Sequence, residues 1–113
     1  MKQIKAIVKP TRLELVLKAL HDHLEVTGVS VSHVQGFGQK VGRKPSPDGT
    51  LLPFGTGDMC KVECIVNDEI LDSVVDVIKC AAHTGTEGDG KIFVTPVEQE
   101  VVIKTGQSND SDR

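Results

Sequence analysis

The residues best suited to bind a ligand lie in a glycine-rich segment, residues 84–91. Its three glycines, at 85, 88 and 90, let backbone N–H groups approach a phosphate closely, and Lys91 adds a positive charge. The spacing Gly85-x4-Gly90-Lys91 resembles a Walker A loop, but Ile92 stands where Ser or Thr must bind Mg²⁺. The segment also leads from a predicted helix to a predicted strand, the reverse of a P-loop. The sequence therefore indicates a phosphate-binding turn and excludes a P-loop NTPase, with a plain helix C-cap as the alternative.

A second unusual segment spans residues 36–58 and contains six glycines and three prolines. Hairpin loops usually have about 2–5 residues, and a loop beyond about 15 is usually functional or disordered. The beginning of this segment, residues 39–44, is basic, which suits an anion or an acidic partner. The composition predicts a functional loop, with a solvated flexible loop as the alternative. We expect its tip, residues 43–57, to be disordered or to adopt several conformations without ligand.

The histidines and cysteines do not form a typical catalytic or metal-binding pattern. His21 and His23 are two positions apart on a predicted helix, so they point about 200° apart and cannot share a metal ion. Cys60 and Cys64 lie on one face of a predicted strand at about 3.3 Å per residue, too far apart for a disulfide or a shared metal. We therefore expect no tightly bound metal and no catalytic site.

Length and charge limit the class of protein. The chain has 113 residues, a net charge of -3 and three cysteines, which indicates one domain without a disulfide framework. The charge does not favour nucleic acid or an anionic membrane as a partner, and no apolar run reaches the roughly 18 residues of a membrane span. The first residues lead directly into strand-like sequence without a signal peptide. We expect a cytoplasmic protein that binds no nucleic acid and does not insert into a membrane.

Hydrophobic periodicity predicts the elements that position these segments. Their order is β-α-β-β-α-β, which is typical of the ferredoxin-like α+β fold, an antiparallel sheet with two helices on one face. The second face of the third strand carries Lys61, Glu63 and Ile65, which indicates a face that contacts either water or another subunit. The predicted strands span residues 2–9, 29–35, 60–66 and 91–97, with a short fifth strand at 100–104, the helices span 11–22 and 68–83, and residues 107–113 form a frayed, flexible tail.

Three stretches together resemble the PII signal-transduction proteins over residues 1–107. They are Ile4-Lys5-Ala6-Ile7-Val8-Lys9-Pro10, Gly36-Phe37-Gly38, and Thr84-Gly85-x-x-Gly88-Asp89-Gly90-Lys91-Ile92-Phe93-Val94, followed by Thr105-Gly106. The resemblance implies a PII-like domain over residues 1–106 that forms a homotrimer. It implies a T-loop over residues 38–58, a B-loop over residues 84–90, and adenine nucleotide (ADP, AMP or ATP) in each cleft between subunits. It further implies a regulator without catalysis that contacts a target protein, a transporter or an enzyme, through the T-loop.

The resemblance also implies which residues bind the nucleotide. Of the two arginines that the family brings from the neighbouring subunit, one aligns with Lys104 and the other with Val102. The loss of one bidentate phosphate contact favours ADP or AMP over ATP. The family's phosphate contacts fall on Gly88, Asp89, Gly90 and Lys91, its adenine-reading hydroxyl falls on Ser30, and further positions of the site fall on Ile7, Gly28, Gly36, Gly38, Gln39, Glu63, Ile65 and Lys104.

The T-loop departs from the family pattern. The tyrosine that the family uridylylates aligns with Leu52, and the chain contains no tyrosine, so this modification is impossible. The glutamine that helps hold Mg²⁺ and 2-oxoglutarate aligns with Lys40, one place after Gln39, and the lysine at the far end of the loop aligns with Met59. A cation at position 40 instead favours a small anionic effector, bicarbonate first, at Gly38, Gln39 and Lys40.

Three other functions stay open at this point. The first is an ordinary PII-type nitrogen regulator that senses ATP and 2-oxoglutarate. The second is a slow nucleotide phosphohydrolase, which would need a general base, and Glu87 and Asp89 are the carboxylates near the predicted phosphate site. The third is a purely structural trimer, which would not need two glycine-rich loops.

Overall fold

The computed structural model describes residues 1–23, 25–26, 28–38 and 55–110, with the backbone alone at 37–38, 55–56 and 110. The predicted effector residues Gln39 and Lys40, position Leu52 and most of the predicted loop tip lie outside this part of the chain. The described strands and helices are β1 (Lys2–Val8), α1 (Leu13–Asp22), β2 (Ser30–Gly38), β3 (Gly55–Val66), α2 (Leu71–Ala82), β4 (Gly90–Pro96), β5 (Gln99–Val101) and β6 (Ser108–Asp110).

The four long strands form one antiparallel sheet in the order β2-β3-β1-β4. Alternation along β1 places Ile4, Ala6 and Val8 on the face that both helices cover, where all three are buried. Helix α1 contributes Leu20 to the same core and α2 contributes Ile78. None of the described helices covers the opposite face, which we call the open face. The predicted ferredoxin-like α+β fold is confirmed.

Both helices begin later than predicted. The 3-10 turn Pro10–Arg12 precedes α1, and the 3-10 turn Asp68–Ile70 precedes α2. Proline is favoured in a first helical turn because its missing N–H has no partner there in any case. None of the described helices is long and apolar enough to cross a membrane.

The hairpin strands β2 and β3 continue into the segment that was predicted to be loop. Gly36 pairs with Gly57, and Gly38 pairs with Gly55, so the prediction of a loop from residue 36 to residue 58 is wrong at both ends. The backbone N–H and C=O groups of two strands can hydrogen-bond to each other without any contribution from side chains. Hydrophobic periodicity did not detect these strand ends, because glycine has no side chain that could contribute to the pattern.

The C-terminal segment also differs from the prediction. Strand β5 ends at Val101, and residues 103–105 form a turn, so Lys104 lies in a turn instead of a strand. The expected frayed tail is wrong for Ser108–Asp110, which pair with β5, while residues 111–113 lie outside the described chain. The turn is closed by hydrogen bonds between Val102 and Gln107 and from Gly106 to Val102. Backbone pairing thus orders a polar segment without an apolar side chain.

Candidate functional site

The B-loop lies between the end of α2 and the start of β4 and depends on its glycines. Gly85, Gly88 and Gly90 have φ angles of 85°, 87° and 100°, in the region that L side chains rarely adopt. A Cβ atom at position 90 would also lie 1.7 Å from the carbonyl oxygen of Ile7. The B-loop therefore packs directly on the end of β1 at a position that admits only glycine.

Asp89 binds groups at the beginning of its own loop. Its carboxylate accepts hydrogen bonds from the backbone N–H groups of Thr84 (2.8 Å) and Gly85 (2.9 Å) and from the Thr84 hydroxyl. The Lys9 ammonium lies 3.1 Å from Asp89 Oδ1. These contacts, the Thr84 hydroxyl first among them, hold the pKa of Asp89 well below its ordinary value. The carboxylate is thus ionised, and both of its oxygens have partners within the protein.

Lys91 lies beside the B-loop at the start of β4, where it pairs with Ile7 of β1. A cleft of about 360 Å³ opens at this end of the sheet and is lined by Ile7, Asp89, Gly90 and Lys91, together with Lys79 and His83 of α2. Ammonium groups beside exposed backbone N–H groups favour an anionic ligand. This cleft therefore brings together four of the predicted nucleotide-site residues.

A second cleft of about 360 Å³ contains four more of the predicted residues, Gly28, Ser30, Glu63 and Ile65. Ser30 and Glu63 are cross-strand partners on β2 and β3. Glu63 accepts a 2.9 Å hydrogen bond from the side-chain amide of Gln3 and lies 3.5 Å from the Lys61 ammonium. A hydroxyl and a carboxylate that line one cleft can recognise the polar groups of a ligand.

Four other predicted residues, Gly36, Gly38, Gly88 of the B-loop and Lys104, line neither cleft, and Gln39 lies outside the described residues. Gly36 and Gly38 belong to the far part of the β2–β3 hairpin, and Lys104 is exposed in the turn between β5 and β6. The two clefts have no lining residue in common. One chain therefore holds the predicted site residues in two separate clefts.

Sequence reasoning missed several residues of these clefts. Gln3 and Glu100 line the cleft of Ser30, and Lys79 and His83 line the cleft of Lys91. Gln3 and Ile7 are an even number of positions apart on β1, so the alternation along this strand predicts both side chains on the same face. The contact of Lys9 with the B-loop had no local signal, because the two partners are 80 positions apart in the chain.

Comparisons with a family model and with individual known proteins point to the same family. The sequence model of the family described as nitrogen regulatory protein P-II matches residues 1–107. The chain is 40% identical over 107 residues to the nitrogen regulatory protein P-II of Azospirillum brasilense, with 95% of each chain covered. It is 42% identical over 109 residues to that of Nostoc punctiforme, covering 96% of each chain. It is 40% identical over 111 residues to nitrogen regulatory protein P-II 1 of Escherichia coli strain K12, covering 98% of each.

These findings confirm the resemblance that the three sequence stretches indicated. Proteins of this family are homotrimeric regulators that act on target proteins and are not enzymes. As a family they bind adenine nucleotides and 2-oxoglutarate. The family match and the relatives, each aligned over nearly the whole length, agree with the ferredoxin-like fold and the glycine-rich B-loop: this chain belongs to the nitrogen regulatory protein P-II family.

Proposed function

We propose that three copies of this chain form a regulator that binds adenine nucleotide between subunits and signals to a target protein through the T-loop. The observation that carries the proposal is the B-loop, which has three glycines at positive φ and whose last glycine, Gly90, lies against Ile7 and beside Lys91. A plain helix cap would not need a backbone packed this closely with an ammonium group next to it. The target protein in this proposal is a transporter or an enzyme.

The phosphates of the nucleotide bind at the B-loop in this proposal. The N–H groups around Gly88 and Gly90 donate to phosphate oxygens, and the Lys91 ammonium supplies the charge. Ser30 and Glu63, in the second cleft, supply the hydroxyl and carboxylate that recognise the adenine ring. Because the two clefts are separate on one subunit, neighbouring subunits complete each site, with Lys104 reaching from the exposed β5–β6 turn.

The nucleotide preference follows from the cations available to the phosphate chain. Lys104 supplies one point charge, and Val102 supplies none. An arginine can hold two phosphate oxygens at once, whereas a lysine acts as a single charge. We therefore propose that ADP and AMP bind better than ATP.

The proposed effector is a small anion, bicarbonate first, held by Lys40 and by N–H groups at Gly38 and Gln39. This part rests on residue types alone, since residues 39 and 40 lie outside the described structure. A second candidate function is nitrogen regulation through ATP and 2-oxoglutarate, and the names of the relatives favour the role in nitrogen regulation.

Isothermal titration calorimetry with ATP, ADP and AMP tests this proposal. Each nucleotide is titrated with and without Mg²⁺, and in the presence of either bicarbonate or 2-oxoglutarate. We expect ADP and AMP to bind more tightly than ATP, and bicarbonate and nucleotide to raise each other's affinity by the same factor. Tight Mg²⁺-dependent binding of 2-oxoglutarate with ATP, without any bicarbonate effect, would favour the nitrogen regulator. Failure of all three nucleotides to bind would contradict both candidates.

A further inference from the structure

Four polar side chains at the base of the B-loop form one connected network, which we call the Lys9–Asp89 network. It consists of Lys9, Thr84, Thr86 and Asp89. The Lys9 ammonium donates to the hydroxyls of Thr84 (3.2 Å) and Thr86 (2.6 Å) and lies 3.1 Å from Asp89 Oδ1. Asp89 in turn accepts from the backbone of Thr84 and Gly85. The network therefore ties the end of β1 to both ends of the B-loop.

The direction of the Asp89 carboxylate argues against a direct contact with phosphate. Asp89 stands between Gly88 and Gly90, where an unpaired negative charge would repel a phosphate group. Its Oδ2 accepts from two backbone N–H groups and its Oδ1 from the Thr84 hydroxyl, so both oxygens face the start of the loop. The side chains of Lys9 and Asp89 are 25% and 23% exposed, so water screens this pair less than a surface pair.

We propose that Lys9 and Asp89 are positioning residues, which hold the B-loop backbone in the conformation that receives the nucleotide phosphates. In addition, Lys9 neutralises the Asp89 carboxylate beside the phosphate site. This inference rests on the proposed function of the B-loop. A backbone that is already held in place loses less entropy when the ligand binds. The network therefore acts on the affinity for the phosphate groups and leaves recognition of the adenine and ribose unchanged.

The ratio of ADP affinity to adenosine affinity separates this role from a general effect on folding. Adenosine has the same base and sugar but lacks the phosphates. We expect Asp89→Asn and Lys9→Met each to lower the affinity for ADP on the order of tenfold, the effect of one charge-assisted hydrogen bond. The affinity for adenosine stays within about twofold of wild type, since the second cleft is not altered. Calorimetry measures both ligands, and light scattering and a melting curve monitor assembly and fold.

The chain offers matched controls for each substitution. Lys18 and Asp22 form a similar ion pair, 2.9 Å long, on the exposed side of α1, and Lys18→Met and Asp22→Asn should leave both affinities unchanged. Thr84→Val removes one hydroxyl from the network with little change in shape, and Thr84→Ser keeps the hydroxyl. If Asp89→Asn does not fold, a loss of ADP affinity in Thr84→Val and its retention in Thr84→Ser still support the proposal.

Three results would overturn the inference. The first is unchanged ADP affinity in folded Asp89→Asn and Lys9→Met proteins. The second is an equal loss of ADP and adenosine affinity, and the third is equal ADP affinity in Thr84→Val and wild type. If wild type binds ADP and Lys91→Ala weakens that binding, these results remove the network's role and leave the proposed function standing. If wild type does not bind ADP at all, the proposed function itself fails.

Discussion

Gly90 and the carbonyl oxygen of Ile7 are so close that the structure leaves no room for a side chain at position 90. A Cβ atom there would lie 1.7 Å from the oxygen, and the Gly90 φ angle of 100° is itself unfavourable for any L residue. Ile7 and Gly90 belong to adjacent central and edge strands of the sheet. This contact fixes the end of the B-loop relative to β1, and with it the position of Lys91.

We expect Gly90→Ala to lower the free energy of unfolding by about 3 kcal/mol or more, because it combines backbone strain with overpacking. Two other glycines serve as graded controls. Gly106 has a φ of 71° but open space around it, so Gly106→Ala should cost about 1–2 kcal/mol. Gly28 has neither constraint, so Gly28→Ala should stay within about 0.5 kcal/mol of wild type. Urea unfolding at a fixed protein concentration measures all three, and equal losses would show that the Ile7 contact is not decisive.

Lys91→Ala should weaken ADP binding by about 1.5–3 kcal/mol, which is the usual contribution of a charge-assisted phosphate contact. Calorimetry with the wild-type and variant proteins measures the difference. Lys18→Ala, which removes an exposed lysine from α1, is the control and should bind ADP like wild type. Unchanged affinity in a folded Lys91→Ala protein would mean that the B-loop is only a helix cap and turn.

Asp89 should make stability depend on acid pH. Its folded-state pKa lies below the unfolded value of about 3.9, because the Thr84 hydroxyl and backbone, Gly85 and Lys9 bind the ionised form. The imidazole of His83 also faces it at 3.8 Å. The contribution is therefore fully present above the unfolded pKa and is lost as the pH falls through the folded pKa. Unfolding curves between pH 6 and about pH 2 should show a shallower decline for Asp89→Asn than for wild type.

Glu87→Gln provides the control for this pH experiment, since it removes a carboxylate from the same loop without touching the hydrogen bonds of Asp89. Its decline with pH should match that of wild type. Equal slopes for wild type and Asp89→Asn would contradict the assignment of acid sensitivity to Asp89.

The open face of the sheet should form the contact between subunits. Phe93 and Ile65 lie on this face and are 50% and 39% exposed in the single chain. Burial of such apolar surface favours association, and a charge placed within it opposes association. We expect wild type to be a trimer by light scattering and Phe93→Glu to shift it toward monomer. Leu15→Glu, on the exposed side of α1, should leave the trimer intact, and a trimer that is indifferent to Phe93→Glu would contradict this interface.

The sequence by itself determined the two-layer fold and the position of the glycine-rich turn between α2 and β4. The alternation of Ile4, Ala6 and Val8 and the helical spacing of Val16 and Leu20 encode burial locally, because strand and helix periods place these residues on one face. The glycines of the B-loop and Lys91 were recognisable by type and spacing alone. Such features depend only on neighbours along the chain.

The tertiary structure alone decided which distant groups meet. The strand ends at Gly36–Gly57 and Gly38–Gly55 and the pairing of β6 with β5 depend on backbone hydrogen bonds, which leave no trace in side-chain pattern. The contact of Asp89 with Lys9 was equally absent from the local sequence pattern: Lys9 reaches it because the sheet places the end of β1 beside the start of β4. Lys9 and Asp89 are 80 positions apart in the sequence, so their ion pair forms only after the intervening strands have taken their places in the sheet. Only the folded chain therefore reveals this contact.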